Sequence, residues 1–344
     1  MLLAISKEIV LQKNYLAGDI IETIYFGGGT PSLLSSEELT RLLETIYVHF
    51  EVTPSPEITL EANPDDLSFD KLTSLSGANI NRLSIGIQSF DDNHLTYLNR
   101  AHNSQEALSS IEDARKVGID NISIDLIYAI PSDGHGLWRK DLAQTIALKP
   151  AHISSYCLTI ESSTAFGNWL KRGKIKSIND EYAAQQFEIL LSTLKDHGYE
   201  QYEVSNFCLP SHYSKHNSNY WRQEKYLGVG PSAHSYNGID RQFNISHNKK
   251  YLDAINKNII PSTLDQLGHK DHINEYLLTT LRTKWGTSLD KLQHTYDHDL
   301  LGLNEVYIND LLKRDLAKIE NSALILTDQG KLFADKIASD LFLM

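Results

Sequence analysis

The sequence predicts an α/β protein: a partial parallel (β/α) barrel followed by a small α+β domain of winged-helix character. Three observations carry this expectation. Short β-like runs alternate with amphipathic helices through the first two-thirds of the chain, the pattern of a parallel sheet with helical crossovers. Polar or glycine-rich sequence recurs where each strand ends, as in a barrel whose strand ends share one mouth. The final segment then changes to helices followed by a short strand pair.

Taken in order, residues 1–16 read as a helix with the apolar stripe Leu2, Ile5 and Ile9. Ser35 and Glu38 form a capping box ahead of Leu39, Leu42, Leu43 and Ile46, which follow helical spacing. The runs Glu22–Phe26, Glu57–Leu60, Arg82–Ile87, Asn121–Ile127 and His152–Leu158 are short and rich in Ile, Leu and Tyr, which suits buried strands. Phe187, Leu190, Leu191 and Leu194 mark a further helix, closed by Gly198.

From about Tyr202 the sequence becomes turn-rich, with aromatics and histidines, as far as Tyr226-Leu227-Gly228-Val229-Gly230-Pro231. The stretch Leu316–Leu326, then Thr327-Asp328-Gln329-Gly330, resembles the wing and final helix of a winged-helix fold, without a strongly basic recognition helix. That segment reads as a packing or lid domain. The expected division is 1–200, 201–260 and 261–344. No internal repeat, low-complexity tract or Gly/Ser linker marks a boundary.

Composition narrows the function. A chain of 344 residues with 41% hydrophobic and 22% charged residues is ordinary for a soluble globular protein. Its net charge of −12 argues against nucleic acid, because phosphate binding needs a basic face. No run approaches the roughly 18 apolar residues of a membrane span. Lys7 and Glu8 interrupt the start where a signal peptide stays apolar, so a cytoplasmic location is expected. Cys157 and Cys208 are the only cysteines; neither has metal-ligand spacing, and both read as buried small hydrophobes.

Several strand ends carry possible chemistry. Gly27-Gly28-Gly29-Thr30-Pro31 follows a strand and precedes a capped helix, so its backbone groups can approach a ligand with no Cβ in the way. It fits neither the dinucleotide fingerprint nor a phosphate loop, and a tight turn explains it equally well. Glu61 and Asp125 are carboxylates at or near apolar strand ends, positions costly without a partner; caps or structural ion pairs account for such residues as readily. Gln88 and Arg100 add an amide and a guanidinium.

Together these runs resemble one family. GGGTPSLL, LEANPDDL, NRLSIGIQSFDDNHLTYLNRAH, NISIDLIYAIP and HISSYCLTIE stand in the order found in radical S-adenosylmethionine (SAM) proteins of the HemN/HemW group. The resemblance runs through nearly the entire chain and implies a radical SAM barrel. It implies that Gly28, Gly29 and Thr30 touch SAM, that Glu61 binds its polar groups, and that Gln88, Arg100 and Asp125 complete the contacts. Tyr128-Ala129-Ile130-Pro131 departs slightly from the group's usual Tyr-Gly-Leu-Pro. Two further tracts match the heme-chaperone branch: His216-Asn217-Ser218-Asn219-Tyr220-Trp221, an H-N-x-x-Y-W motif, and Gly228-Val229-Gly230-Pro231-Ser232-Ala233-His234-Ser235-Tyr236. A histidine beside large aromatics suits heme, which needs an axial ligand and flat apolar walls. His216, Tyr220 and Trp221 are the heme candidates, with His212, His234 and His247 competing as ligand; a hydrogen-bonded structural histidine is the alternative.

One family feature is missing. Radical SAM proteins hold a [4Fe–4S] cluster through cysteines in C-x3-C-x2-C, thiolate being the soft ligand such clusters require. In the family that motif lies after the first barrel strand, well upstream of GGGTP; here residues 1–16 read as the helix that follows it. The barrel is therefore expected without its first strand, and the chain as written is expected to bind no cluster and cleave no SAM. Three readings follow: a heme carrier whose N-terminal segment is absent here, an oxygen-independent coproporphyrinogen III oxidase of porphyrin biosynthesis, and a binding scaffold that needs no cluster. The carrier reading implies heme as cargo and an acceptor protein, which could be membrane-associated.

Overall fold

A computed structural model describes residues 1–162, 164–173, 175 and 177–344. In chain order it runs through α1 (Leu2–Leu11), β1 (Ile21–Phe26), α2 (Ser36–His49), β2 (Val52–Ala62), α3 (Phe69–Gly77), β3 (Arg82–Gln88), α4 (Asp92–Tyr97), α5 (Ser104–Lys116), β4 (Asn121–Tyr128), α6 (Gly136–Leu148) and β5 (His152–Cys157). There follow α7 (Ala165–Lys171), α8 (Asp180–Asp196), β6 (Glu200–Glu203), β7 (Asn206–Cys208), α9 (Lys215–Trp221), β8 (His234–Tyr236), β9 (Arg241–Asn244), α10 (Asn248–Asn256) and β10 (Ser262–Asp265). The chain ends with α11 (His269–Thr280), β11 (Thr287–Ser288), α12 (Leu289–Tyr296), α13 (Leu300–Leu303), α14 (Glu305–Lys313), β12 (Ala317–Glu320), β13 (Ala323–Leu326) and α15 (Ala334–Asp340).

The partial barrel is present as a seven-stranded sheet of order β1-β2-β3-β4-β5-β7-β6. Strands β2 to β5 pair in parallel and in chain order, each crossover carrying helix because parallel neighbours need a long return. The sheet is extended by β7, antiparallel to β5, and by β6 beyond it. This hairpin lies where the sequence reads as turns, since strands of four and three residues are too short to show periodicity.

Two compact units divide the chain. One comprises Met1–Tyr25, Leu34–Glu57 and Ser214–Met344; the other comprises Phe26–Leu33 and Ile58–Tyr213. In the second unit Leu60, Leu83, Ile85, Ile122, Ile124 and Ile153 are fully buried on the strands, with Leu72, Ala107, Ile111 and Leu190 from its helices. The expected helix stop at Gly198 is present: Gly198 takes a left-handed φ of +82°, and the Gly198 and Tyr199 amides donate to the Lys195 and Leu194 carbonyls.

In the first unit, the capping box forms as read: Glu38 N donates to Ser35 Oγ, and Ser35 N to the Glu38 carboxylate. The buried carboxylate of Glu8 on α1 accepts from Gln12, Asn244, Gly230 N and Tyr251. Four donors around one carboxylate offset its desolvation and tie α1 to β9, α10 and the glycine loop. The C-terminal segment carries the expected strand pair β12–β13, with β11 added as a third strand against β13.

Candidate functional site

The glycine run at the end of β1 is held open by backbone conformation. Gly28 and Gly29 have φ of +75° and +63°, and no heavy atom lies within 4 Å of where a Cβ would stand. Glycine is required here for its left-handed backbone rather than for close packing. Gly28 N donates to Glu61 Oε2 at 2.9 Å, which joins the run to the end of β2. Ser32 Oγ donates to Asp66 Oδ2 at 2.6 Å and steadies the following turn. Thr30 is exposed beside it.

The end of β3 is bulged. Its register with β4 shifts between Ile85 and Gln88, and Gln88 takes φ +67°. A bulge re-aims the side chain that ends it, and a non-glycine residue in this region carries strain of the kind functional sites retain. Gly86 explains how the neighbours fit: a Cβ there would stand 2.9 Å from Gln88 Nε2 and 3.3 Å from Arg100 Nη2. Arg100 donates through Nη2 to Asn63 Oδ1 at 2.7 Å and to Gly86 O at 3.2 Å. It is aimed by the end of α4, where Asn99 is left-handed and Arg100 N donates to Leu95 O. Burial pulls the guanidinium pKa down, against Asp65 and Asp125, which raise it. Arg100 Nε is buried with no hydrogen-bond partner.

Glu61 and Asp125 share one face of the sheet. Glu61 is in register with Ser84, and Ser84 Oγ lies 3.4 Å from Asp125 Oδ1. Burial pushes the Asp125 carboxyl up to about 7, opposed by Ser154, Arg82 and Ser84 and aided by Glu61. The same face carries a buried polar chain that sequence reasoning missed: His152 Nδ1 meets Ser123 Oγ at 2.8 Å, and its Nε2 meets the Tyr202 hydroxyl at 2.8 Å. Burial, with Arg82 adding to it, holds that imidazole well below its usual pKa. Asn63 and Gly86 were also missed as individual residues. Gly86 had a signal, since a glycine inside a strand marks a bulge or close approach.

The aromatic tract lies in the other unit, on α9. Ser214 caps that helix by accepting from Asn217 N, while the Glu57 carboxylate accepts from the amides of Lys215 and His216, a negative group at the positive helix end. The His216 ring stacks on Tyr25 with centroids 4.6 Å apart, and Thr23 Oγ1 lies 2.9 Å from its Nδ1. Tyr220, one turn on, meets His216 edge-on at 5.0 Å and Tyr226 at 4.6 Å. His216 and Tyr220 are thus brought together. Trp221 stands apart from that cluster, with the Arg282 guanidinium 5.6 Å from its ring and its Nε1 buried without a partner.

The residues present fit SAM and do not fit an iron–sulfur cluster. An orphaned buried guanidinium N–H, an open glycine turn and two carboxylates on one face suit a zwitterionic ligand with polar groups at several points. The cluster needs several thiolates, and the sequence has two cysteines. Cys208 is buried on β7 and Cys157 only half-buried on β5, a departure for Cys157 from the buried position expected. Among the described residues no group of three or more His, Cys, Asp or Glu can hold a metal ion.

Comparison with known proteins follows the same lines. The Radical SAM superfamily model matches residues 6–137, and the HemN C-terminal domain model matches residues 267–333. The heme chaperone HemW of Bacillus subtilis (strain 168) is 36% identical over 321 residues, covering 92% of this chain and 84% of that protein. HemW of Lactococcus lactis is 35% identical over 90% of this chain and 82% of its own length, and that of Mycobacterium tuberculosis 30% over 99% and 85%. Among solved structures, the radical SAM enzyme coproporphyrinogen III oxidase (HemN) of Escherichia coli matches with a TM-score of 0.83. That match covers 99% of this chain and 82% of the other at 21% identity, which is a likeness of fold.

Proposed function

The chain belongs to the HemW family of radical SAM proteins, and from that premise we propose that it is a heme chaperone, binding heme and passing it to an acceptor protein. The observation that carries the reading is the 36% identity with the Bacillus subtilis heme chaperone across 92% of the chain. His216, Tyr220 and Trp221 are the motif residues proposed to contribute to the heme surface. Large aromatic rings supply flat apolar area for a macrocycle at low entropic cost, and the ring cluster of His216, Tyr25, Tyr220 and Tyr226 is of that kind. The acceptor is proposed to be a separate protein, membrane-associated acceptors included, with the carrier cytoplasmic. No helix among the described residues is long and apolar enough to cross a membrane.

SAM is the proposed second ligand, held by Gly28, Gly29, Thr30, Glu61, Gln88, Arg100 and Asp125. In radical SAM proteins the bound group supplies a source of radical chemistry together with the cluster. The residues of this chain include two cysteines, too few to supply the cluster's thiolates. What the chain's residues do is bind: Arg100 offers a dry N–H to a carboxylate or adenine nitrogen, and Glu61 and Asp125 offer acceptors to an ammonium group. The oxidase reading has only the fold likeness to coproporphyrinogen III oxidase behind it.

The test is a heme titration of the full chain followed by the Soret band, then mixing with a heme-free acceptor such as apomyoglobin. Saturable binding and transfer are expected, with His216→Ala perturbing the titration more than His102→Ala. His102 serves as the control because it is buried, with Nε2 on the Ile87 carbonyl at 3.0 Å. Absence of heme binding by the folded chain overturns the carrier reading.

A further inference from the structure

The three-stranded sheet of order β10-β9-β8 carries a row of side chains across one face. His234 on β8 stands opposite Phe243 on β9, and Phe243 opposite Thr263 on β10; directly opposed residues project to the same side. The row borders a groove of about 510 Å3 whose other walls include Ser232, Ile245, Pro261 and, from α10, Lys250. That volume falls in the range of roughly 300–1,000 Å3 typical of small-molecule sites. His234 is exposed and Phe243 is 40% exposed, with ring centroids 5.7 Å apart and a 31° tilt. An imidazole, a phenyl ring, aliphatic walls and an ammonium group meet in one groove on an otherwise acidic protein. This chemistry is complementary to a flat apolar macrocycle that carries a coordinating iron and peripheral carboxylates.

We propose that this groove docks heme, with His234 as an iron ligand, Phe243 against the macrocycle and Lys250 at a propionate. The proposal rests on the heme-carrier reading and names where the iron is met. The two competing candidate histidines of this unit, His216 and His247, are less suited to that task. His216 is half-buried, its Nδ1 against Thr23 and its ring between Tyr25 and Tyr220. His247 caps α10, its Nδ1 accepting from Lys250 N. His234 stands on the strand at the sheet edge, where cargo can arrive from solvent and leave to a partner. The His216 cluster is linked to that strand by aromatic neighbours: Tyr220 meets Tyr226, and Tyr226 meets Tyr236 of β8 at 6.5 Å. His216 thereby acts on the heme surface through the row of tyrosines that leads to β8.

The experiment titrates the full chain and the variants His234→Ala, His234→Gln and Lys250→Gln with three probes: ferric heme, iron-free protoporphyrin IX and heme dimethyl ester. Loss of an iron ligand should weaken heme binding at least about tenfold and move the Soret maximum, while leaving iron-free porphyrin affinity unchanged. Lys250→Gln should weaken both free-acid probes and leave the diester as it was. If the wild type binds heme and both His234 variants titrate identically to it, the groove is not the heme site, and the carrier reading stands without it. If the wild type binds no heme, the carrier reading fails and takes this proposal with it. Should the His234 variants lose their circular dichroism, Lys250→Gln alone decides: an unchanged preference among the three probes overturns the groove as the docking face.

Discussion

The strand-end site around Glu61 and the aromatic region around His216 and His234 are built in different ways. At the strand ends, each polar group is fixed by sheet register, a bulge or a left-handed residue, and Arg100 Nε is kept dry without a partner. This is a site prepared in advance, whose strain and desolvation are offset by the sheet beneath. In the aromatic region the rings lean on one another and on the Thr23–His216 hydrogen bond, while His234 and Phe243 remain open to solvent. The order there comes from below, through the Glu8 carboxylate that ties α1 to the glycine loop and β9. A ligand gripped at several polar points calls for the first arrangement, and a flat cargo that must be released suits the second.

The largest effect should come from removing that tie. Glu8→Ala leaves the Gly230 amide, Asn244 and Tyr251 without their shared acceptor, and each buried group left unpaired costs about 1–3 kcal/mol. A loss of more than about 3 kcal/mol in urea unfolding is expected; an effect near zero would show that the aromatic region orders itself without it. Next, Glu61→Ala should weaken binding of SAM, or of S-adenosylhomocysteine as a stable probe, by about 1–3 kcal/mol in calorimetry. An unchanged affinity removes Glu61 from the proposed ligand shell.

Gly28→Ala should cost about 1–2 kcal/mol of stability, the price of a left-handed backbone for a residue with a Cβ, because no neighbour obstructs the added atom. A larger loss would mean that the turn tolerates no adjustment. The smallest effect concerns pH, since Asp125 is partly exposed and water screens it. Its folded pKa of about 7 lies above the ordinary carboxylate value, so the folded state holds a proton that the unfolded chain releases. The stability carried by that protonated carboxyl should decline as pH rises from roughly 4 to about 7 and level off above. Asp125→Asn should flatten the decline, measured as unfolding free energy between those limits; parallel curves for the two proteins would contradict the burial argument.

Much of this architecture is readable along the chain because its causes are local. The capping box at Ser35 and Glu38, the stop at Gly198 and the parallel strands β2 to β5 all follow from spacing over a few residues. The glycine run, Glu61 and Gln88 were visible for a related reason, standing where an apolar strand gives way to polar sequence, whereas Arg100, after α4, and Asp125, within β4, were singled out by the family resemblance. The β6–β7 hairpin, the Ser123–His152–Tyr202 chain and the pairing of His234 with Phe243 were not visible, because each joins residues whose neighbours in sequence say nothing of the contact.

The sequence by itself determined the fold class, the alternation of elements and the family membership carried by its motifs. It also determined that two cysteines cannot supply the thiolates of a cluster. Only the tertiary structure decided that Glu61 and Asp125 face the same way, that Gly86 makes room for Gln88 and Arg100, and that His216 is packed while His234 is open. Register, a bulge and cross-strand pairing set those outcomes. They are properties of strands brought together from distant parts of the chain, and the side-chain alternation within one strand leaves its partner unspecified.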